Sequence, residues 1–274
     1  MDINMKYKIL TLDLDGTLTN SQKELTDKTK TALLEYQKNG GIVVLASGRP
    51  AYGIQPLAQI LELQKYGGYI LAFNGGQIID CKNQSVIWQK VIPLEMTRDL
   101  AELARKYHVA IMTYYGNQLI TETPEHFYVK KEKEINHMEI KPVNSFAEYV
   151  DFPMAKCLLA EEENHLAQVE KVAQKIFGES LSIYRSEPFF LEIMPEGIDK
   201  AKSLQWLLAQ LEIEKKHMVA FGDGFNDQTM IEFAGLGVAM GNAQDQVKKI
   251  ADLIAPTNDE NGVAWVLENV VGIS

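Results

Sequence analysis

The strongest structural signal in this chain is an alternation of short apolar segments with helical patterns. In the first third, the apolar segments lie at residues 8–14, 42–46 and 69–73, and helical patterns separate them. Each segment is short, rich in leucine or β-branched residues, and followed by polar residues or glycine, which is typical of a buried strand. The order strand, helix, strand predicts right-handed crossovers and a parallel sheet.

The last third of the chain repeats this order. We predict strands at 217–221 and 236–240 and helices at 198–211, 226–234, 244–251 and 262–270. Together with the first third, these elements predict one α/β core built from two separate parts of the chain.

The middle of the chain has a different pattern. A hairpin at 77–80 and 85–88 comes first, and the polar stretch 122–144 shows no clear element. Around that stretch we predict helices from Pro93 and at 164–177, and strands at 109–115, 118–121, 154–160, 181–185 and 189–194. This pattern favours an antiparallel sheet with helices on one face. We therefore predict an inserted α+β domain at 82–189, between core segments 1–81 and 190–274.

Composition excludes several classes of partner. The chain has 27 Lys+Arg against 37 Asp+Glu, a net charge of −10, which argues against a general nucleic-acid binder. No apolar run approaches the roughly 18–20 residues of a membrane helix. Residues 1–10 lack the apolar core of a signal peptide, and the two cysteines, Cys81 and Cys157, suit a reducing compartment. We expect a cytoplasmic protein with no nucleic-acid or membrane partner, either a monomer or a weak homo-oligomer.

Carboxylates cluster where the first predicted strand ends. Asp13 and Asp15 are two residues apart at the end of an otherwise apolar strand, and Gly16 follows them. Their side chains therefore point to the same side of the strand. Two neighbouring buried carboxylates are costly unless a cation or a proton neutralises them.

A second polar cluster, Gly222-Asp-Gly-Phe-Asn-Asp227, follows the strand at 217–221. Hard cations such as Mg²⁺ take oxygen ligands, commonly one or two carboxylates with substrate phosphate and water. A simpler interpretation is that Asn226 or Asp227 only caps the next helix, but it leaves Asp223 and the flanking glycines unexplained. Ser47 and Lys200 also lie at predicted helix starts, where Ser47 could be a plain cap and Lys200 a solvated lysine.

These clusters resemble the four ordered motifs of the haloacid dehalogenase-like hydrolase superfamily. The matching segments are 13–17 (DLDGT), 46–49 (ASGR), 197–200 (GIDK) and 222–227 (GDGFND). Residues 74–75 (NG) and 237–243 (GVAMGNA) further resemble its Cof-type phosphatases. The resemblance implies a Rossmann-like, doubly wound parallel sheet in which 82–189 is an α+β cap. One departure is Asp199, where the family often has a small polar residue, and its charge could weaken phosphate binding by Lys200.

The resemblance also implies a role for each site residue. Asp13 would be the nucleophile that forms an aspartyl-phosphate, and Asp15 the general acid and base, with a pKa raised by the anionic phosphate. Mg²⁺ would be held by Asp13, the backbone carbonyl of Asp15 and Asp223, while Asp227 orients its water shell. The phosphoryl oxygens would be bound by Ser47, Lys200, Asn226 and the amides of Leu14, Asp15 and Gly48.

Three functions remain open at this point. The first is a Mg²⁺-dependent phosphatase for small phosphorylated metabolites, with sugar phosphates as the expected class. The second is phosphoryl transfer of the sugar phosphomutase type, and the third is a non-catalytic phospho-acceptor module, which the presence of Asp15 and of the insertion disfavours. The aromatic residues Trp88, Tyr114, Tyr115 and Phe189 could shape a substrate pocket or could simply pack.

Overall fold

The computed structural model describes residues 5–273, and these form two compact units. The first contains the described residues up to Trp88 and those from Asp199 onward, and the second contains Gln89–Ile198. In chain order the strands are β1 (Ile9–Leu12), β2 (Ile42–Ala46), β3 (Tyr69–Ala72), β4 (Gln77–Asp80), β5 (Ser85–Gln89), β6 (Ala110–Tyr115), β7 (Gln118–Thr121), β8 (Glu139–Pro142), β9 (Cys157–Ala160), β10 (Leu181–Glu187), β11 (Phe190–Pro195), β12 (Met218–Gly222), β13 (Leu236–Ala239) and β14 (Leu253–Ile254). The helices are α1 (Asp27–Lys38), α2 (Ala51–Ile60), α3 (Leu63–Tyr66), α4 (Met96–Lys106), α5 (Phe127–Asn136), α6 (Phe146–Tyr149), α7 (Glu163–Phe177), α8 (Lys200–Gln210), α9 (Gln228–Phe233), α10 (Asp245–Ile250) and α11 (Gly262–Val266).

The first unit is built on an eight-stranded sheet with the order β14-β13-β12-β1-β2-β3-β4-β5. The strands from β14 to β3 run parallel, while β4 pairs antiparallel with β3. Consecutive residues of β1, such as Ile9 and Leu10, point to opposite faces of the sheet and are both fully buried, so both faces are covered. The predicted α/β fold with a doubly wound parallel core is confirmed.

One face of this sheet packs against α8 and α9. Leu204 and Leu207 of α8 and Met230 of α9 join Ile9 and Val44 in one buried apolar cluster. Thr26 is the N-cap of α1, the helix that follows β1, because its side chain accepts a hydrogen bond from the Thr29 amide.

The second unit is built on a six-stranded sheet with the order β10-β11-β9-β6-β7-β8. Helices α4, α6 and α7 contribute to the apolar cluster on one face of this sheet. The sheet is antiparallel, as predicted, except at its edge, where β7 and β8 run parallel.

The polar stretch 122–144 contains α5 and β8, which the sequence did not predict. The buried positions of α5 are Val129, Glu132 and Asn136, so two of the three carry polar side chains and the apolar period of a helix is missing. Strand β8 is only four residues long and none of them is fully buried, so its apolar signal is weak.

The boundaries of the insertion also differ from 82–189. Strand β5 pairs in the first sheet, so the second unit starts later, at Gln89. Strand β11 pairs with β9 and β10 in the second sheet, so the second unit extends to Ile198. Sequence patterns locate these strands correctly but cannot assign them to a sheet. Across the described residues, no helix combines the length and the apolar character needed to span a bilayer.

Candidate active site

Acidic residues meet at the carboxyl ends of the central strands β1 and β12. The Asp13 amide donates to the carbonyl of Phe221 (3.0 Å), so Asp13 continues the pairing of the two strands. Asp223 follows β12 directly, and Asp227 ends the short 3-10 turn Phe225–Asp227. The carboxyl ends of parallel strands are where ligands bind in sheets of this type.

Lys200, the first residue of α8, joins two of these carboxylates. Its Nζ donates to Asp13 Oδ1 and to Asp227 Oδ1, both at 2.6 Å, and to the carbonyl of Ala46 at 3.0 Å. The side chain is fully buried, and burial alone would lower its pKa. The charges of Asp13 and Asp227 outweigh that effect and raise the pKa of Lys200, so the lysine stays protonated at neutral pH.

The carboxylates retain excess negative charge despite this lysine. Burial, followed by repulsion from Asp227, raises the pKa of Asp13 well above its usual value, and Lys200 offsets only part of the increase. Burial likewise raises the pKa of Asp223 to about 6, although Thr17 donates a hydrogen bond to its Oδ1 (2.8 Å). Raised pKa values mean that the ionised carboxylates would gain stability from a further cation.

Asp13, Asp223 and Asp227 each offer an oxygen within 4.8 Å of the others, so the group could hold a metal ion. The donor set is all oxygen and anionic, which fits a hard divalent cation such as Mg²⁺. Asp227 also has a structural role, because its Oδ2 accepts the amides of Asp223 (3.0 Å) and Gly224 (2.9 Å). These contacts close the turn before α9, whereas the side chain makes no capping hydrogen bond to α9 itself, and its other oxygen contacts Lys200.

Two glycines keep this cluster compact. Gly16 has a φ of +82°, and a Cβ at this position would lie 2.5 Å from Asp223 Oδ2. A Cβ on Gly222 would lie 2.4 Å from the Cβ of Asp227. Side chains at either position would displace a carboxylate of the cluster.

Asp15 lies outside the three-carboxylate group. Arg49 Nε donates to its Oδ2 (2.8 Å), while Arg49 Nη2 (2.6 Å) and Lys23 Nζ (2.7 Å) donate to its Oδ1. Burial would raise the pKa of Asp15, but the hydrogen bonds and charges of Arg49 and Lys23 lower it overall. This direction is opposite to the one that we expected for a proton donor beside an anionic phosphate.

The predicted phosphate-binding residues lie on neighbouring loops. Ser47, at the end of β2, is buried, and its Oγ accepts the Arg49 amide (3.2 Å). Asn226 Nδ2 donates to Asn74 Oδ1 (3.0 Å). Gly48 lies close to the same side chain, because a Cβ on Gly48 would be 3.1 Å from Asn74 Nδ2.

The remaining predicted residues contribute through their backbone or their capping. Leu14 buries its side chain, and its carbonyl accepts the amide of Thr19 (3.0 Å). Asp199 caps α8 by accepting the amide of Lys202 (2.9 Å), so this departure from the family pattern has a local structural reason.

Sequence reasoning missed Thr17, Lys23, Arg49 and Asn74 as members of this site. Arg49 and Asn74 lie within segments that carry the family resemblance, so their motifs offered a signal. Lys23 offered none, because its contact with Asp15 depends on the turn that its loop makes.

Comparison with known proteins agrees with this geometry. A sequence model described as haloacid dehalogenase-like hydrolase matches residues 10–267. A crystal structure of a haloacid dehalogenase-like hydrolase from Bacteroides thetaiotaomicron is 46% identical, with a TM-score of 0.94 over 97% of this chain and 100% of its own. The 5-amino-6-(5-phospho-D-ribitylamino)uracil phosphatase YcsE of Bacillus subtilis is 29% identical over 96% of this chain and 98% of its own. A solved sugar phosphatase of subclass IIB is 26% identical, with a TM-score of 0.79 over 95% of this chain and 98% of its own.

Carboxylates and a buried lysine at the strand ends are what a phosphoryl-transfer site needs, and the family match extends over nearly the whole sequence. The chain belongs to the haloacid dehalogenase-like hydrolases, in their Cof-type branch, and is a phosphatase.

Proposed function

We propose that this protein is a Mg²⁺-dependent phosphatase that hydrolyses small phosphorylated metabolites, sugar phosphates first among them, through an aspartyl-phosphate. The observation that carries the proposal is the contact of buried Lys200 with both Asp13 and Asp227, beside Asp223. The sugar class is supported by the likeness to the subclass IIB sugar phosphatase.

In the first step, an Asp13 carboxylate oxygen attacks phosphorus, and the bond from phosphorus to the leaving oxygen breaks as Asp15 donates a proton to that oxygen. In the second step, Asp15 takes a proton from water, the water oxygen attacks phosphorus, and phosphate leaves Asp13. Lys200, Ser47, Asn226 and the amides of Leu14, Asp15 and Gly48 bind the phosphoryl oxygens in this scheme.

Asp15 must exchange its partners before it can act as the acid. Arg49 and Lys23 favour its ionised form in the arrangement described above. A phosphate dianion offers both cations another anionic partner, and Arg binds phosphate in the same two-pronged way as it binds a carboxylate.

Mg²⁺ would be held by Asp13, the backbone carbonyl of Asp15 and Asp223, with Asp227 orienting the water around it. The raised pKa values of Asp13 and Asp223 support this assignment, because a group of carboxylates short of cations gains most from one. When bound, the ion neutralises charge on the carboxylates and on the phosphoryl group.

The second unit, Gln89–Ile198, is proposed as the cap that selects the substrate. Closure of such a cap excludes water and large molecules, which suits a small metabolite. Both cysteines are free, as expected of a protein of the reducing cytoplasm, where we place the reaction.

A phosphate-release assay over a panel of phosphorylated metabolites tests this function. We expect release that requires Mg²⁺, stops with EDTA and is lost in Asp13→Asn, while the exposed control Asp245→Asn stays active. No release from any substrate would refute the proposal. Interconversion of hexose 1- and 6-phosphates without free phosphate would replace it with a mutase.

A further inference from the structure

The turn between β3 and β4 has an unusual backbone. It contains the segment 74–75, which resembles a Cof-type motif and to which the proposed reaction assigns no role. Phe73, Asn74 and Gly75 all have a positive φ, at +53°, +53° and +102°. Glycine and asparagine adopt this conformation readily, whereas a bulky residue such as Phe73 does so rarely and at a cost. Strained backbone persists where the surrounding structure holds it in place, and it is frequent at active sites.

This turn is buried, unlike most hairpin turns. Asn-Gly is a preferred sequence at the centre of a tight hairpin, because both residues tolerate a positive φ. That preference explains the type of residue but not its burial, since Asn74 is 9% exposed and Phe73 is 6% exposed. Turns normally lie at the surface, where water satisfies their polar groups. A buried polar turn therefore needs partners within the protein.

Backbone contacts tie the turn to its neighbours on two sides. The amide of Asn74 donates to the carbonyl of Ser47 (2.9 Å), in the loop after β2. The Oγ of Ser203, on α8, donates to the carbonyl of Gly75 (2.6 Å). A Cβ on Gly75 would lie 2.8 Å from the carbonyl oxygen of Asp199, so the turn and the start of α8 approach closely. The turn is thus held against two of the segments that form the site.

The side chain of Asn74 reaches a third segment, the loop after β12. Its Oδ1 accepts a hydrogen bond from Asn226 Nδ2 (3.0 Å). A Cβ on Gly48 would lie 3.2 Å from the same oxygen, so this side chain also lies against the loop after β2. Asn74 therefore lies between the two loops that carry Gly48 and Asn226, whose amide groups are assigned to the phosphoryl oxygens in the proposed reaction.

We propose that Asn74 is a positioning residue for phosphoryl transfer and that it acts by orienting the side chain of Asn226. This inference rests on the proposed function, in which Asn226 binds a phosphoryl oxygen. The Nδ2 atom of Asn226 has two hydrogens to donate. One is donated to Asn74, and the other is donated to the phosphoryl group when substrate binds.

The acceptor at Asn74 matters because a side-chain amide has two opposite ends. Rotation of the Asn226 amide would exchange its nitrogen for its oxygen, and an oxygen facing the phosphoryl group would repel it. Asn226 is exposed, and among the described residues only Asn74 makes a hydrogen bond to its side chain. Loss of that contact leaves the amide free to turn, and a misplaced group lowers the rate of reaction.

A double-mutant cycle in the full-length enzyme, with Mg²⁺ and p-nitrophenyl phosphate, tests this role. Asn74→Gly deletes the side-chain amide, while glycine retains the positive φ. We expect kcat to fall at least about fivefold with KM within about threefold, and no further than in Asn226→Ala, because full loss of a hydrogen bond to a charged group costs roughly tenfold to 100-fold. In the Asn226→Ala background, Asn74→Gly should change kcat by less than about twofold, because its effect passes through Asn226.

The matched control is Asn261→Gly. Asn261 also precedes a glycine and has a positive φ of +59°, but its Oδ1 accepts from Thr26 Oγ1 (2.5 Å), outside the site. This variant should keep kcat/KM within about twofold of the unmodified enzyme. If Asn74→Gly does not fold, Asn74→Ala removes the same amide and completes the cycle.

Two results would overturn the inference. Losses that multiply when Asn74→Gly and Asn226→Ala are combined would show that Asn74 only supports the fold, and full activity in Asn74→Gly would show that the amide is not needed. Both results leave the phosphatase function standing, because the unmodified enzyme still releases phosphate. An unmodified enzyme that releases phosphate from no substrate overturns the proposed function itself.

Discussion

Replacing Lys200 by methionine tests how the carboxylates of the site are neutralised. Met keeps most of the side-chain volume, but Asp13 and Asp227 each lose a charged partner at 2.6 Å while they remain buried. Breaking a buried ion pair in this way costs about 3–5 kcal/mol. For a chain of this length, that lowers the melting temperature by roughly 6–20 °C, at about 2–4 °C for each kcal/mol.

Magnesium should restore part of this loss, because a cation bound by the same carboxylates replaces the missing charge. A ligand at 100 times its Kd adds about 2.7 kcal/mol to the free energy of unfolding. Thermal unfolding followed by circular dichroism, with Mg²⁺ and with EDTA, measures both effects. The variant should also lose phosphatase activity.

The control for this experiment is Lys202→Met, two residues along the same helix. The side chain of Lys202 is 66% exposed and pairs with Asp199 at 3.3 Å, and surface pairs contribute about 0–1 kcal/mol. Equal melting temperatures for Lys200→Met and Lys202→Met would refute the claim that Lys200 neutralises the site. A Lys200→Met protein that Mg²⁺ does not stabilise would refute the assignment of the carboxylates to a metal.

Three further predictions follow from single contacts. Burial raises the pKa of Asp223 to about 6, so the folded state binds a proton more tightly than the unfolded state does. In urea unfolding with EDTA, Asp223→Asn should therefore gain stability relative to the unmodified protein as pH rises from about 4 to 6. A stability difference that does not change with pH would contradict this. Because Arg49 lowers the pKa of Asp15, Arg49→Met should raise that pKa in an NMR titration of the carboxyl carbon. Lys23 still contacts Asp15 in the variant, so the stability that the unmodified protein loses as pH falls through the folded pKa of Asp15 should become smaller. An unchanged titration would show that the Arg49–Asp15 ion pair is weak. Gly16→Ala should abolish activity, because its Cβ would meet Asp223. The control Gly40→Ala has a similar φ of +92° but no atom within 4 Å of its Cβ, so it should lower the free energy of unfolding by about 1 kcal/mol and leave activity intact. Equal activity in the two variants would refute the close approach at Gly16.

The sequence was sufficient for the core of the fold and for the position of the carboxylates. Strand β1 is apolar except for Thr11, which predicts a buried strand with the aspartates at its carboxyl end, and the structure brings Asp13 beside Asp227 and Lys200 there. The same logic located β2 and β12, because a parallel strand buried on both faces is a continuous apolar run that periodicity detects.

The sequence was not sufficient where burial involves polar residues. Helix α5 escaped detection because Glu132 and Asn136 are buried through their hydrogen bonds rather than through apolar contacts. The partners of Asp15 escaped because Lys23 and Arg49 are 8 and 34 residues away in the chain, and only the folded loops bring them together. Sheet membership of β5 and β11 depends on pairing, which a local pattern does not encode.

Mass spectrometry of the acid-quenched enzyme tests the central claim most directly. The enzyme is mixed with Mg²⁺ and p-nitrophenyl phosphate, denatured in acid during turnover and digested with a protease. The account predicts a phosphoryl group on the peptide that contains Asp13, no such adduct in Asp13→Asn, and no release of phosphate by that variant. Turnover that continues in Asp13→Asn, or a phosphoryl group on another residue, would contradict it.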